Sequence, residues 1–124
     1  MLRSLATVLM LMSSAGGATP GEPPVRYRLG LLARGPAWTA ERTAHTDSIQ
    51  AGHMANMGRM AEMGALVAAG PFLNGGDLRG VFVFAPEAGG LDTLLAADPA
   101  IASGRLECRL FPWVAPPGLG EEYR

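Results

Sequence analysis

The chain has 124 residues, and 48% of them are hydrophobic, which is typical of one compact domain and excludes a disordered chain. Its formal net charge is −1, so no strong electrostatic field recruits nucleic acid or an anionic membrane surface. All 10 basic residues are arginines, which excludes Schiff-base chemistry on a lysine. The single cysteine, Cys108, has no partner for an internal disulfide and is predicted to be a small buried hydrophobe.

Residues 1–18 have the order of a secretory signal peptide. The charged "MLR" precedes the apolar run "LATVLMLM", and the small residues "SSAGGA" follow. The apolar run is too short to span a bilayer, so we expect no stable membrane anchor. These features predict a periplasmic or secreted protein; if the start is misassigned, the prediction becomes a cytoplasmic one. Residues 19–24, "TPGEPP", are predicted to form an extended linker.

Four segments after the linker have the pattern of β-strands. The first, "VRYRLGLLARG", alternates, with Tyr27 and Leu29 on one face and Arg28 and Leu32 on the other. The remaining strands are predicted at "ALVAAGPF", "LRGVFVFA" and "RLECRLFPW". The tight-turn signature "NGGD" joins the second strand to the third.

Two helices are predicted between these strands. The first extends from about Ser48 to Met63, and Gly64 is a plausible stop. The second is a short helix within residues 86–99, which the dipeptide Asp98-Pro99 is expected to end.

The resulting order, βαββαβ, predicts a ferredoxin-like α+β domain over residues 25–116, followed by a loose tail over residues 117–124. In this fold two helices cover one face of a four-stranded antiparallel sheet. The other face is then either wet or paired with a second copy of the chain, so we expect a homodimer. The uncovered face is predicted to carry Arg28, Arg79 and Arg109 beside Leu32 and Val83.

Several stretches, taken together and in order, resemble the YCII-related family. They are "RGPAWT", "HMANMGRMAEMGALVAAGPF", "GDLRGVFVF", "ADPAIASGRL" and "LFPW", and the resemblance extends from about Arg26 to Ala115. It implies a ferredoxin-like fold that dimerises through its sheets into an α+β barrel. It also implies an active-site pair of a histidine and an aspartate, which by position are His53 and Asp98. Relatives include an enzyme that eliminates chloride from a chlorinated hydroquinone, although most members have no established reaction. The predicted signal peptide is a departure from this family, whose members are usually found in the cytoplasm.

His53 is the first candidate catalytic residue. At about 100° per residue it shares the apolar arc of its helix with Ile49, Met57 and Met60, so it is predicted to point at the sheet. The helix alone favours a structural histidine whose ring nitrogens are both hydrogen-bonded. The resemblance favours a general base instead.

Asp98 has two interpretations as well. As a residue before proline, it is expected to bond its side chain to nearby backbone. As the partner that the resemblance implies, it would orient His53 and stabilise the imidazolium. The sequence alone does not pair the two residues.

Met54, Met57, Met60 and Met63 recur at three-residue steps along the same helix. Thioethers suit Cu(I), and adjacent pairs with His53 offer a copper site. A straight helix nevertheless spreads the four sulfurs over half its circumference, which favours methionines that pack in the core.

Two tryptophans and an arginine complete the candidate pocket. Trp38 and Trp113 are predicted to wall a small apolar pocket beside His53, or alternatively to be core or dimer anchors. Arg79, like Arg109, is a candidate for binding a substrate anion, although such arginines more often pair with carboxylates.

The leading hypothesis from the sequence is therefore an exported YCII-like dimer. If it is an enzyme, we expect a lyase or isomerase that needs no cofactor, in which His53 moves a proton and Asp98 orients it. One alternative is a non-catalytic module that binds a small organic ligand in the same pocket. A further alternative is periplasmic copper binding by the methionines.

Overall fold

A computed structural model describes residues 21–120. The predicted signal peptide (1–18), the start of the linker and residues 121–124 lie outside this range. The elements are β1 (Val25–Arg34), α1 (Ala44–Glu62), β2 (Leu66–Pro71), β3 (Leu78–Phe84), α2 (Leu91–Ala96), α3 (Pro99–Ala102) and β4 (Leu106–Ala115).

The four strands form one antiparallel sheet with the order β2-β3-β1-β4. The central strand β1 sets the register, because Leu29 lies opposite Val83 on β3 and Phe111 on β4. Helices pack on this sheet, so the prediction of an α+β protein with a four-stranded antiparallel sheet is confirmed. All four predicted strands are present, with ends within about two residues of the predicted ones.

Helix α1 begins four residues before the predicted Ser48. Its first turn is fixed by a capping box, in which the Thr43 hydroxyl accepts from the Thr46 amide and the Thr46 hydroxyl accepts from the Thr43 amide. His45 therefore lies in the first helical turn, where it is exposed. The helix ends at Glu62, close to the predicted stop.

The second predicted helix is wrong in its extent. Residues 86–90 are not helical, and the helical residues between β3 and β4 form two short pieces, α2 and α3. Asp98-Pro99 does not end a helix but starts one. The Asp98 side chain caps α3 by accepting from the Ala100 amide, and Pro99 takes the first helical position, where its missing N–H costs nothing.

The main core lies between the helices and the sheet, and we call it the helix-side cluster. It joins side chains from β1, β2 and β3 to side chains from α1 and α2. Phe82 and Phe84 meet edge to face, with ring centroids 5.7 Å apart. The buried members of the helix-side cluster are Leu32, Met60, Leu66, Phe82, Phe84, Leu91 and Leu95.

A smaller apolar cluster lies on the other face of the sheet, and we call it the opposite-face cluster. Its buried members are Tyr27, Val83 and Ala115, with Leu29 and Trp113 packed against them. The predicted assignment of residues to faces was therefore wrong for β1. Leu32 belongs to the helix-side cluster, while the apolar stripe that includes Tyr27 and Leu29 faces away from the helices.

Of the predicted tail, residues 117–124, the structure describes only residues 117–120. Residues 117–120 form a turn, and Leu119 packs against the opposite-face cluster. Within residues 21–120, no helix combines the length and the apolar character needed to cross a membrane.

Candidate active site

His53 and Asp98 are in direct contact, although 45 residues separate them in sequence. The distance between His53 Nδ1 and Asp98 Oδ2 is 2.6 Å. His53 is 7% exposed and Asp98 is fully buried. A short hydrogen bond of this kind in a site shielded from water is stronger than the same contact at the surface.

Asp98 is fixed by a second bond as well. Its Oδ1 accepts from the Ala100 amide at 2.8 Å, so each carboxylate oxygen has its own donor. The sequence analysis treated a local turn role and a contact with His53 as alternatives for Asp98. The side chain fulfils both. Two donors on two oxygens leave the carboxylate little freedom to rotate.

His53 reaches Asp98 because α1 and α3 approach each other closely at the preceding residue. A Cβ at Gly52 would lie 2.5 Å from Cγ of Pro99, well inside van der Waals contact. Only a residue without a side chain permits this approach. On its other side the His53 ring stacks on Phe82, with centroids 6.0 Å apart and planes inclined by 24°.

The second ring nitrogen of His53, Nε2, is open. It makes no hydrogen bond with the described residues, and no buried side-chain nitrogen or oxygen among them lacks a partner, so Nε2 is accessible. With Asp98 accepting from Nδ1–H, the neutral imidazole carries its proton on Nδ1 and presents Nε2 as an acceptor. This is the tautomer that a general base needs.

A pocket of about 430 Å³ adjoins this ring, a volume within the usual range of small-molecule sites. Its polar lining includes His53, Gln50, Trp38 and Arg79, and among residues 21–120 no Asp or Glu lines it. The Asp98 carboxylate lies behind the imidazole rather than in the wall. The apolar wall consists mainly of Leu32, Met54, Met57, Val81, Phe82 and Leu106.

Trp38 lines the same pocket as His53, and its ring is surrounded by arginines. The guanidinium carbons of Arg105, Arg79 and Arg34 lie 4.4, 4.7 and 5.3 Å from the Trp38 ring centroid. Guanidinium groups stack favourably on an indole ring. The ring therefore positions cations at the pocket and is less available as a bare aromatic wall.

Trp113 does not line this pocket, and its position fits the alternative prediction of a core residue. It packs on Tyr27, with ring centroids 6.1 Å apart, in the opposite-face cluster. Arg109 lies across from Leu31 on the same side of the sheet. The alternation of β4 puts these side chains away from the helices, whereas Cys108 and Leu110 face them.

The four methionines of the three-residue ladder do not converge. Met54 and Met57 line the pocket, Met60 is fully buried in the core, and Met63 is 62% exposed. Within residues 21–120, no group of three or more His, Cys, Asp or Glu side chains is arranged to hold a metal ion. Only two of the four sulfurs, those of Met54 and Met57, therefore lie at the same pocket as His53 and could join it in binding copper.

The sequence interpretation missed Asn56, which is 2% exposed on α1. Its Nδ2 donates to the Leu94 carbonyl at 3.1 Å, and its Oδ1 accepts from Arg59 at 2.6 Å. It therefore joins α1 to α2 one turn beyond His53. Its burial could have been predicted from its position three residues after His53, on the inward face of the helix.

Cys108 lies on the helix side of β4. Burial, and secondarily the negative charge of Asp98, raise the pKa of its thiol from 9.0 to about 11. Because the thiolate is the nucleophile, this cysteine is unreactive at neutral pH. The prediction of a structural cysteine agrees with this environment.

Comparison of the chain with family models, curated proteins and solved structures gave no match. The site is therefore interpreted from its own geometry.

Proposed function

We propose that the pocket at His53 is an active site for cofactor-free proton transfer on a small organic molecule, with a lyase or isomerase outcome. The observation that carries this proposal is the 2.6 Å contact between a buried histidine and a fully buried aspartate at the wall of an accessible pocket. A structural histidine would have partners for both nitrogens, whereas here Nε2 is left accessible.

In the proposed step, Nε2 of His53 takes a proton from a carbon that an adjacent carbonyl makes acidic. The electron pair of the broken C–H bond becomes an enolate. That pair then either expels a leaving group from the neighbouring carbon or accepts the proton back at another carbon. Asp98 stabilises the imidazolium formed in between and holds the ring in the productive tautomer.

We also propose that the chain is a YCII-like protein with a ferredoxin-like arrangement. In support, β1 and β3 are the two central strands, so each helical connection crosses over one strand before the chain re-enters the sheet. That crossing defines a split βαβ unit. The His–Asp contact is the second support, because the resemblance pairs the same two residues.

The reaction is tested by hydrogen–deuterium exchange. Small carbonyl compounds with acidic C–H bonds are incubated with the protein in D2O, and loss of the proton signal is followed by NMR. We expect His53→Gln to lower the exchange rate on the order of 10²–10⁴-fold. His45→Gln is the matched control, because His45 is exposed on the same helix and should leave the rate unchanged.

A second measurement does not depend on the choice of substrate. ¹⁵N spectra of the His53 ring should show a proton on Nδ1 and a bare Nε2, and Asp98→Asn should change that tautomer population. A ring protonated on Nε2 in the wild type would remove the general base. Compounds that bind equally well to wild type and His53→Gln, with no exchange in either, would favour the non-catalytic binding module.

We further propose that the protein is exported and pairs with a second copy through the face opposite the helices. The support for pairing is the apolar character of that face, where Phe111 is 42% exposed. Sedimentation equilibrium should give twice the chain mass, and Phe111→Glu should give the monomer mass. Export is tested by the mass of the protein recovered from the periplasm, which should lack about the first 18 residues.

A further inference from the structure

Three arginines surround Trp38, a residue that lines the pocket. Each guanidinium carbon lies within 5.3 Å of one indole centroid, so three like charges are held close together. Within residues 21–120, the ion pairs are Arg42–Asp47 and His53–Asp98, so none of these three arginines has a carboxylate partner. Three clustered cations without a counter-charge repel one another.

Most of the hydrogen-bonding capacity of this cluster is unused. Arg105 donates to the Thr39 hydroxyl at 3.1 Å and Arg79 to the Gly76 carbonyl at 3.4 Å, while a guanidinium has five N–H donors. Arg79 and Arg105 are only partly exposed, while Arg34 is exposed at the edge of the cluster. Arg79 and Trp38 also line the same pocket as His53.

We propose that Arg34, Arg79 and Arg105, held on Trp38, form an oxyanion-binding subsite that fixes the acidic group of a small organic acid with its reacting carbon toward His53. The shared ligand chemistry is a carboxylate or a phosphate, both of which match the planar fork of arginine. This inference rests on the proposed function for the orientation of the substrate. The binding of an anion does not depend on that function.

The electrostatics of the pocket support an anion over a neutral or cationic ligand. Of the residues that the structure describes, no acidic side chain lines the cavity, and Arg79 is its one permanently charged wall residue. An anion bound there relieves the repulsion among the arginines. It also leaves the His53–Asp98 pair undisturbed, because Asp98 is fully buried behind the imidazole.

The test uses unreactive probes, so that binding is measured without turnover. Benzoate and phenyl phosphate are titrated into the full-length protein beside benzamide and benzyl alcohol, with Trp38 fluorescence recorded in a Trp113→Phe background. Both anions should bind at least tenfold more tightly than the neutral compounds, and the preferred anion identifies the substrate's acidic group. The affinity should fall as salt rises from about 0.01 to 0.15 M, because the cluster is partly exposed.

Arg79→Gln and Arg105→Gln should each weaken anion binding about tenfold or more, while Arg79→Lys should recover part of it. Arg109→Gln is the matched control, since Arg109 lies on the opposite face and should leave the affinity unchanged. Equal affinity for benzoate and benzamide, or equal losses in Arg79→Gln and Arg109→Gln, would overturn the subsite. Thermal unfolding of each variant shows that it is folded.

The two proposals fail in different ways. Arginine-dependent benzoate binding without any deuterium exchange would keep the anion subsite and remove the proton-transfer function. Exchange that is equally fast on neutral and anionic carbonyl compounds would keep the function and remove the role of the arginines in orienting the substrate.

Discussion

Both faces of the sheet carry apolar clusters, but in the described part of the chain the buried imidazole, amide and carboxylate side chains all lie on the helix-covered face. Within residues 21–120 the buried polar or charged residues are His53, Asn56 and Asp98, and all three belong to the helices and their connections. The opposite-face cluster buries only Tyr27, Val83 and Ala115. The cost of desolvating the imidazole, the carboxylate and the amide therefore falls on one face.

The buried polar atoms on the helix side all have hydrogen-bond partners. No buried side-chain nitrogen or oxygen in the described part of the chain lacks a hydrogen bond. Asn56 joins two helices, and Asp98 joins a helix start to His53. A fold that satisfies these groups places the helices in one arrangement, because any shift would break bonds that water could not replace.

The largest difference between the faces should appear on truncating one phenylalanine from each. Phe82 is 1% exposed and contacts both Phe84 and His53, so Phe82→Ala should cost about 3–5 kcal/mol of unfolding free energy. Phe111→Ala, at a residue 42% exposed in the single chain, should cost the monomer less than about 1 kcal/mol, measured at concentrations too low for the proposed pairing. Urea unfolding of both variants measures this, and equal losses would contradict the unequal contribution of the two faces.

Alanine substitutions at two glycines of α1 should change stability by smaller amounts, and in opposite directions. An alanine at Gly52 would bring a methyl group to 2.5 Å from Pro99, so α3 must move and carry Asp98 away from His53. We expect Gly52→Ala to lose about 1–3 kcal/mol of stability by overpacking. Gly58→Ala, with nothing within 4 Å of the added carbon, should gain about 0.5–1 kcal/mol from reduced backbone entropy.

Thermal unfolding distinguishes these two outcomes, and the His53 tautomer measured by ¹⁵N NMR is the second readout. Only Gly52→Ala should change the tautomer population. If both alanine variants are stabilised, the spacing of α1 and α3 does not depend on Gly52.

Much of the fold follows from local patterns in the sequence. Alternation in the strands, the turn at "NGGD" and the inward arc of α1 predicted the four strands and the burial of His53. These features depend on residues within a few positions of each other. The same holds for the start of α3, where Asp98 and Pro99 signal a helix start as much as a helix end.

The errors concern contacts between distant segments. Alternation in β1 separates two sets of side chains but does not say which set meets the helices. The helix-facing set includes Arg28 and Gly30 and so resembles a solvent-exposed face. Gly30 is required there, because a Cβ would lie 2.9 Å from the Cys108 sulfur and 3.3 Å from Phe82. The arginines around Trp38 come from three different segments, so no local pattern predicts that they meet.

The smallest expected effect comes from Cys108, which reports the charge of Asp98 on the helix side. Burial, and to a lesser extent the negative charge of Asp98, raise the pKa of this thiol to about 11. Alkylation by iodoacetamide should therefore show a pH midpoint near 11 in the folded protein. In Asp98→Asn that midpoint should fall, because the negative charge is gone, yet remain above 9.0, because burial persists.

The same shift determines how stability depends on pH. The folded protein holds the thiol proton more tightly than the unfolded chain, so the unfolding free energy should decrease as pH rises from 9.0 to about 11. Cys108→Ser removes this dependence and is the control for other titrating groups. An alkylation midpoint that is the same in wild type and Asp98→Asn would mean that Asp98 carries no charge near β4. The imidazole would then have no ionised partner, and Asp98 could not stabilise the imidazolium that the proposed proton transfer requires.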